Sequence, residues 1–285
     1  MSDDEISIGG GLFEEPEDFR PPPPQAHFTK YERNYATNET NHGINEINLR
    51  LVGKSPLWGH LLWNAGVYTA NFIEKNSETY VKDKKVVELG AASALPSMLC
   101  ALNGAAKVIA TDYPDPDLLE NIEYNINALG YDKAKDIIDV VGYIWGHSVA
   151  EVSARLAGVA VDENGEVDES LVKGDAGKAD FIIMSDLVFN HSEHEGLFKS
   201  CKRLIKPLKN GEPRSGGKCL VVFSPHRPHL VDRDLQFFTD AKELHGFDVE
   251  QIEMIHWDHP MFPEEPAETE EIRRRMYCYI LHPTW

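Results

Sequence analysis

The sequence predicts an α/β protein whose sheet has seven strands, mostly parallel, with an antiparallel final strand and helices on both faces. From residue 82 onward, short apolar runs alternate with amphipathic segments, which is the pattern of a parallel sheet covered by helices. The last two apolar runs, residues 247–255 and 276–281, are joined by a proline-rich acidic stretch without a helical pattern. Because a parallel pair needs a crossover connection, these two runs should pair antiparallel.

Local sequence patterns predict two of the helices that cover this sheet and its first five strands. Asp115 and Pro116 offer an N-cap and a first-turn proline to one helix. Ser192 with Glu195 forms a capping box for another, which ends before Pro207. The first five strands are the apolar runs at residues 85–89, 107–112, 137–143, 180–185 and 219–224.

The N-terminal part of the chain divides into an arm and the start of the domain. Residues 1–28 contain three glycines, an acidic run and four consecutive prolines. Such a segment has too little apolar surface to offset the loss of conformational entropy on ordering. We therefore predict a disordered or docking arm at 1–28 and one domain at 29–285. Residues 47–51 alternate apolar and polar side chains as a half-buried strand does. Ser55 and Pro56 then predict a helix start.

Charge and cysteine usage restrict the partners and the compartment. A net charge of −19 would be repelled by nucleic acid or an anionic membrane, so we expect neither as a partner. A basic protein partner suits this charge, although acidity that only maintains solubility explains it equally well. The four cysteines lack C-x-x-C spacing, and the N-terminus is acidic where a signal peptide would be basic. We expect reduced core cysteines and a cytosolic protein.

A turn of small residues follows the first strand of the main sheet. Gly90, Ala92 and Ala94 stand between an apolar strand and a helix start, where the main chain can approach a ligand closely. An ordinary strand-to-helix turn would look much the same. The second signal is Asp112, 22 residues after Gly90 at the end of the next strand, where an acid can accept hydrogen bonds from a ribose. Nicotinamide cofactors use the same arrangement, so an NAD dehydrogenase is the enzymatic alternative.

Several short motifs give the chain a family resemblance. Taken together they resemble the seven-strand lysine methyltransferases of methyltransferase family 16. The proline-rich acidic arm and residues 190–194 and 223–228 further resemble the fungal members that methylate the N-terminus and a lysine of translation elongation factor 1-alpha. The motifs are Ser55-Pro56-Leu57-Trp58-Gly59, Val87-Glu88-Leu89-Gly90, Thr111-Asp112-Tyr113, Asn121 with Asn125, Trp145-Gly146 and Asp186-Leu187-Val188-Phe189-Asn190.

The resemblance implies S-adenosylmethionine as the cofactor and assigns residues to it. Glu88 and Gly90 would lie at its methionine end, with Ala92 in the turn, Asp112 on the ribose and Trp145 against the adenine. Trp58 and Ser185 would complete the wall. These roles agree with physical chemistry, because an indole offers adenine a stacking face and a carboxylate accepts from a diol. Core packing is the alternative for each tryptophan.

Asp186 and Phe189 are the candidate catalytic residues. Asp186 follows the fourth strand of the main sheet, where it could hold an incoming ammonium, with Phe189 as a cation-binding ring. A carboxylate is a poor base for an amine, so orientation is its expected role. An acid at a helix N-terminus is the alternative for Asp186. Three H-x-x-H pairs also follow strands, at residues 191 and 194, 226 and 229, and 256 and 259; we expect surface or channel histidines and no metal.

The expected activity is methylation of an amine on a protein. The resemblance implies a protein substrate, translation elongation factor 1-alpha, modified at its N-terminal α-amine, a nearby lysine or both. From the charge of the chain we expect this substrate to be basic, and we expect the enzyme to be a monomer. A small-molecule N-methyltransferase acting on nicotinamide is the second hypothesis. A cofactor-binding interaction module without activity is a third, from a different class.

Overall fold

The computed structural model describes residues 25–53, 58–162 and 165–285. Most of the predicted arm, together with Ser55 and Pro56, lies outside these ranges. The strands are β1 (His27–Glu32), β2 (Glu46–Leu51), β3 (Lys85–Leu89), β4 (Lys107–Asp112), β5 (Ile138–Gly142), β6 (Phe181–Ser185), β7 (Lys218–Phe223), β8 (Phe247–His256) and β9 (Arg275–Pro283). The helices are α1 (Asn64–Lys75), α2 (Ser77–Tyr80), α3 (Leu95–Leu102), α4 (Pro116–Ala128), α5 (Ala134–Ile137), α6 (Ala150–Ala157), α7 (His194–Leu204), α8 (Val231–Glu243) and α9 (Glu270–Arg273).

A seven-stranded sheet forms the centre of the fold, in the order β5-β4-β3-β6-β7-β9-β8. β9 runs antiparallel to both of its neighbours, and the other adjacent pairs are parallel. The predicted fold class, including the antiparallel pairing of the last two strands, is confirmed. β3 and β4 occupy the predicted residues, β6 begins one residue later than predicted, and β5 and β7 differ from prediction by one residue at each end.

The N-terminal hairpin of β1 and β2 is a separate two-stranded sheet. β2 confirms the predicted strand, whereas β1 begins at His27, so the boundary that we placed at residue 28 lies two residues too far along the chain. The hairpin is fixed to α4 by Asn125, whose side chain accepts from Arg50 N at 2.8 Å and donates to Arg50 O at 2.9 Å. Pairing with β2 and this anchoring give β1 an order that its own composition does not predict.

The helix predicted from Ser55 begins later than expected. α1 begins at Asn64, and Trp58 has a φ of 65°, a left-handed conformation that no helix contains. The Trp63 indole donates to Trp58 O at 3.2 Å and closes a turn there. The prediction was therefore wrong about where the helix starts, and the turn places both tryptophans at the edge of the sheet.

Of the two helix caps predicted for α4 and α7, the structure contains the first but not the second. Asp115 caps α4 by accepting from the backbone N–H groups of Asp117 and Leu118, as expected. The capping box of Ser192 and Glu195 does not form, because α7 begins at His194 after a short 3₁₀ turn and the Ser192 hydroxyl donates to Asn190 Oδ1 instead. α7 ends at Leu204, before Pro207, as predicted.

Two apolar clusters lie on the two faces of the sheet. One joins the sheet to α1, α3 and the hairpin, and the other joins it to α6, α7 and α8. All four cysteines are buried and free, two in each cluster, which confirms their prediction as reduced core residues. Within the described ranges, no helix is long and apolar enough to cross a membrane.

Candidate functional site

A cavity of about 420 Å³ opens at the carboxyl ends of β3, β4 and β6. In an open α/β sheet this edge is where ligands bind, because the loops after neighbouring parallel strands converge there. Eight of the nine predicted site residues line the cavity; the ninth, Glu88, does not. The eight are Trp58, Gly90, Ala92, Asp112, Trp145, Ser185, Asp186 and Phe189.

The turn after β3 has the left-handed backbone that its small residues suggest. Gly90, Ala92 and Ala94 have φ angles of 68°, 50° and 59°, a region that costs an alanine about 1 kcal/mol relative to glycine. A Cβ on Gly90 would lie 2.7 Å from Leu187 Cδ2 and 3.4 Å from Trp145 Cζ2. Gly90 thus lets Leu187 and Trp145 pack closely against the main chain at the cavity wall, while the two alanines are tolerated under strain.

Asp112 ties the end of β4 to this turn. Its Oδ2 accepts from Ala92 N and its Oδ1 from Tyr113 N, each at 2.7 Å. Asp112 as a whole is 9% exposed, and burial raises the pKa of its carboxyl group although the two N–H donors act in the opposite direction. Each carboxylate oxygen can accept a second hydrogen bond, so Asp112 can still receive donors from a ligand in the cavity.

Glu88 lies behind the cavity wall. Its Oε2 accepts from Ser97 N at 3.0 Å and from Ser97 Oγ at 2.5 Å, within the first turn of α3. Complete burial raises its pKa to about 8, against the effect of the Ser97 donors. In this arrangement Glu88 fixes the start of α3 relative to β3, and so supports the turn that carries Gly90.

Trp145 is positioned from behind by α7. Gly146 N donates to Ser200 Oγ at 2.9 Å, and Arg203 donates to Gly146 O at 2.9 Å. Gly196 leaves room for the tryptophan backbone, since a Cβ there would lie 3.1 Å from Trp145 O. Gly196, Ser200 and Arg203 are spaced four and three residues apart, so one face of α7 holds the segment.

Asp186 is held at the cavity wall by a histidine that sequence reasoning did not assign. It is 5% exposed, has a φ of 59°, and its Oδ2 accepts from His226 Nε2 at 2.8 Å. Burial acts to lower the pKa of His226, but the attraction and hydrogen bond of Asp186 exceed it, so the pKa is raised. α7 begins only at His194, so Asp186 is not a helix N-terminal acid.

Aromatic rings surround this pair. The Trp63 ring centroid lies 4.7 Å from that of His226 and 5.9 Å from that of Phe262. Phe189 lies 6.5 Å from His226, while Trp58 remains 47% exposed at the mouth. Trp63 lines the cavity, but the sequence analysis did not include it among the site residues, because the predicted helix start placed it inside a helix. Its position five residues after Trp58 was the signal that could have identified it.

The histidine pairs have protein partners. His191 Nε2 lies 2.6 Å from Asp234 Oδ1, His194 Nε2 lies 2.7 Å from Val188 O, and His256 Nε2 lies 2.9 Å from Glu271 Oε1. Among the described residues, no three His, Cys, Asp or Glu side chains gather as a metal site would require.

The fold and a match to a lysine methyltransferase family model together define the class of protein. A dinucleotide-binding sheet has the strand order 3-2-1-4-5-6, whereas here the antiparallel β9 is inserted between β7 and β8. The same fold is found in SMU.776, described as a methyltransferase and solved in complex with SAH, with a TM-score of 0.50 and 13% identity over 82% of this chain and 53% of that chain. The class is that of the S-adenosylmethionine-dependent methyltransferases.

Sequence comparison identifies the family. A lysine methyltransferase family model matches residues 48–159. The protein N-terminal and lysine N-methyltransferase EFM7 of Candida albicans is 51% identical over 100% of both chains. The protein of the same name from Schizosaccharomyces pombe is 42% identical over 98% of this chain and 97% of its own. The chain belongs to this family of N-methyltransferases.

Proposed function

We propose that the chain methylates the N-terminal α-amine and a nearby lysine of a basic protein, and that this protein is translation elongation factor 1-alpha. The observation that carries the proposal is the buried carboxylate of Asp186 on the wall of the same cavity as Gly90 and Asp112. An anionic group at that place suits an incoming ammonium. The names of the relatives supply the choice of α-amine and lysine.

The residues of the cavity fit S-adenosylmethionine. The missing side chain at Gly90 lets Leu187 and Trp145 pack against the main chain at the cavity wall, Asp112 can accept from ribose hydroxyls, and the Trp145 indole offers adenine an apolar face. Ser185 completes this wall next to Asp186. When bound, the cofactor supplies an electrophilic methyl group on a sulfonium.

The chain itself must then bind the amine, exclude water and let a proton leave. A nitrogen accepts a methyl group only through its free lone pair, so an ammonium must first lose a proton. An α-amine starts about 3.5 kcal/mol closer to this neutral state than a lysine does, from their ordinary pKa values. Asp186 orients the ammonium, the rings of Trp63 and Phe189 exclude water from it, and desolvation favours loss of the proton to solvent.

An acidic rim beside the cavity suits a basic substrate. Residues 258–271 include Asp258 and five glutamates, and this loop contacts the cavity mouth through the Phe262 and Trp63 rings. Arg273, 5% exposed, fixes the loop by donating to Phe262 O at 2.7 Å and to Pro266 O at 2.9 Å. A basic segment of the substrate would meet this rim on its way to Asp186.

The four cysteines are buried and free, which suits the reducing environment of the cytosol. We propose that the enzyme acts there, as a monomer.

Labelled S-adenosylmethionine tests the proposal. The purified chain is incubated with the elongation factor, with the same factor acetylated at its N-terminus, and with nicotinamide, and the labelled residue is located by mass spectrometry. We expect label on the α-amine and on a lysine of the first, and on the lysine alone of the second. Label on nicotinamide without label on protein would establish the small-molecule alternative. Cofactor binding without transfer to any acceptor would indicate an inactive module.

Charge reversal tests the rim separately. In Glu264→Lys with Glu268→Lys, two exposed acids of the rim change sign, and we expect KM for the protein substrate to rise about tenfold with kcat retained. Glu120→Lys with Glu123→Lys makes the same change on the exposed face of α4 and should leave KM unchanged. Equal effects of the two double variants would show that only net charge matters.

A further inference from the structure

The two oxygens of Asp186 have different surroundings. Oδ2 accepts from His226 Nε2 at 2.8 Å, whereas Oδ1 accepts from Ser224 N at a long 3.4 Å. The His226 side chain is 12% exposed and packs against the Trp63 ring. His226 therefore fixes the orientation of the carboxylate and leaves Oδ1 able to accept from a cation in the cavity.

The protonation of His226 sets the charge that an incoming amine meets. With a neutral imidazole, the Asp186–His226 pair carries one negative charge; with an imidazolium, the two charges cancel. We propose that His226 is a positioning residue that, with Asp186, forms one unit that binds the substrate's ammonium group tightly only while the imidazole is neutral. This inference rests on the proposed function, because it assumes that the substrate is an amine.

The charged groups around His226 favour its protonated form. Asp186 contacts it from the end of β6, and Asp234 of α8 and Glu265 of the acidic rim add negative charge around it. Asp234 is itself bonded to His191, and Arg227 beside His226 donates to Phe189 O. Burial opposes protonation, but the acids prevail and raise the pKa of His226 above its ordinary value. Below that pKa the pair is neutral, so substrate affinity falls as the pH falls.

Thermodynamic linkage makes the effect reciprocal. If protonation of His226 weakens binding of the ammonium, binding of the ammonium must disfavour protonation by the same factor. A tenfold loss of affinity corresponds to a fall of about one unit in the pKa of His226. A role of His226 in packing alone would produce no such shift.

The test measures amine binding by the full chain saturated with S-adenosylhomocysteine. The probe is a basic peptide with an acetylated N-terminus and one lysine, which stays charged throughout because its pKa is about 10.4. Affinity is measured by calorimetry between pH 6 and pH 9, and kcat and KM are measured separately, with S-adenosylmethionine, over the same range. The variants are His226→Gln, which keeps a donor near the position of Nε2 but does not titrate, and His226→Phe, which keeps a ring but has no donor. His229→Gln, at an exposed histidine three residues on, is the matched control.

We expect the wild type and His229→Gln to lose affinity about tenfold from pH 9 to pH 6. His226→Gln should keep its affinity across the range, and His226→Phe should have a lower kcat at every pH because Asp186 is no longer oriented. NMR titration of His226 in the unaltered chain should show its pKa falling when the peptide binds.

Three results would contradict these expectations. An unchanged pH dependence in His226→Gln, or an unchanged pKa of His226 on peptide binding, would overturn this inference while leaving the proposed function intact. Failure of the wild type to bind or methylate the peptide at any pH would overturn both. The NMR titration needs no variant, so it decides the matter even if the substituted chains fold poorly.

Discussion

The cavity has two halves that are held in place differently. The cofactor half (Gly90, Ala92, Asp112 and Trp145) is held by hydrogen bonds between a side chain and the backbone, as in those from Ala92 N and Tyr113 N to Asp112 and from Gly146 N to Ser200. The amine half (Trp63, Asp186, Phe189 and His226) is held by side chains from distant parts of the chain. The first half should therefore respond most to changes of backbone space, and the second to changes of charge.

Gly90→Val should have the largest effect. Its Cβ would lie 2.7 Å from Leu187 Cδ2 and 3.4 Å from Trp145 Cζ2 at a φ of 68°, so the valine would displace these two side chains, which line the cavity. We expect affinity for S-adenosylhomocysteine, measured by calorimetry, to fall about a thousandfold, or ~4 kcal/mol. Gly130→Val is the matched control, because Gly130 has a φ of 75° and no atom within 4 Å of its Cβ position. Equal losses in both variants would mean that backbone strain, not space, is responsible.

Asp186→Asn tests the amine half. It keeps the shape of the side chain but removes the charge that holds the ammonium, a loss of about 2–3 kcal/mol for a charged hydrogen bond. Turnover should fall about a hundredfold, with affinity for S-adenosylhomocysteine unchanged within about twofold. If cofactor affinity fell and turnover at saturating cofactor did not, Asp186 would belong to the cofactor half.

Asp112→Asn should give the reverse pattern. The charged acceptor for ribose is lost, while the amide oxygen can still accept from Ala92 N or Tyr113 N. We expect affinity for S-adenosylhomocysteine to fall about thirtyfold, or ~2 kcal/mol, and kcat at saturating cofactor to stay near that of the wild type. Normal cofactor affinity would show that the ribose does not lie at Asp112.

The same contrast explains what the sequence could predict. β3, β4 and the turn at Gly90 can be predicted from local patterns, because a buried strand and a run of small residues can each be recognised within about ten residues of sequence. Trp63 and His226 could not be placed in this way. The position of Trp63 depends on the left-handed backbone at Trp58, and the partner of Asp186 lies 40 residues away along the chain.

The hairpin and Glu88 also show what local sequence patterns cannot predict. β1 gains its order from β2 and, through Asn125, from α4, contacts that its own composition does not reveal. Glu88 was correctly placed at the end of β3, but whether its carboxylate faces the cavity or Ser97 depends on how α3 packs. Sequence position predicts the strand on which a residue lies more reliably than the direction of its side chain.

Glu88→Gln should have the smallest effect on cofactor binding, because Glu88 supports the cofactor half without lining the cavity. Burial raises its pKa in the folded chain to about 8, above its ordinary value of 4.5, so its contribution to stability is present below pH 4.5 and is lost as the pH rises towards 8. Glutamine does not titrate, and its oxygen can still accept from Ser97. The variant should therefore gain stability over the wild type by about 1.4 kcal/mol for each pH unit between pH 5 and pH 7, measured by urea unfolding. Affinity for S-adenosylhomocysteine should stay within about twofold of the wild type; a much larger loss would mean that the Glu88 carboxylate contacts the cofactor directly.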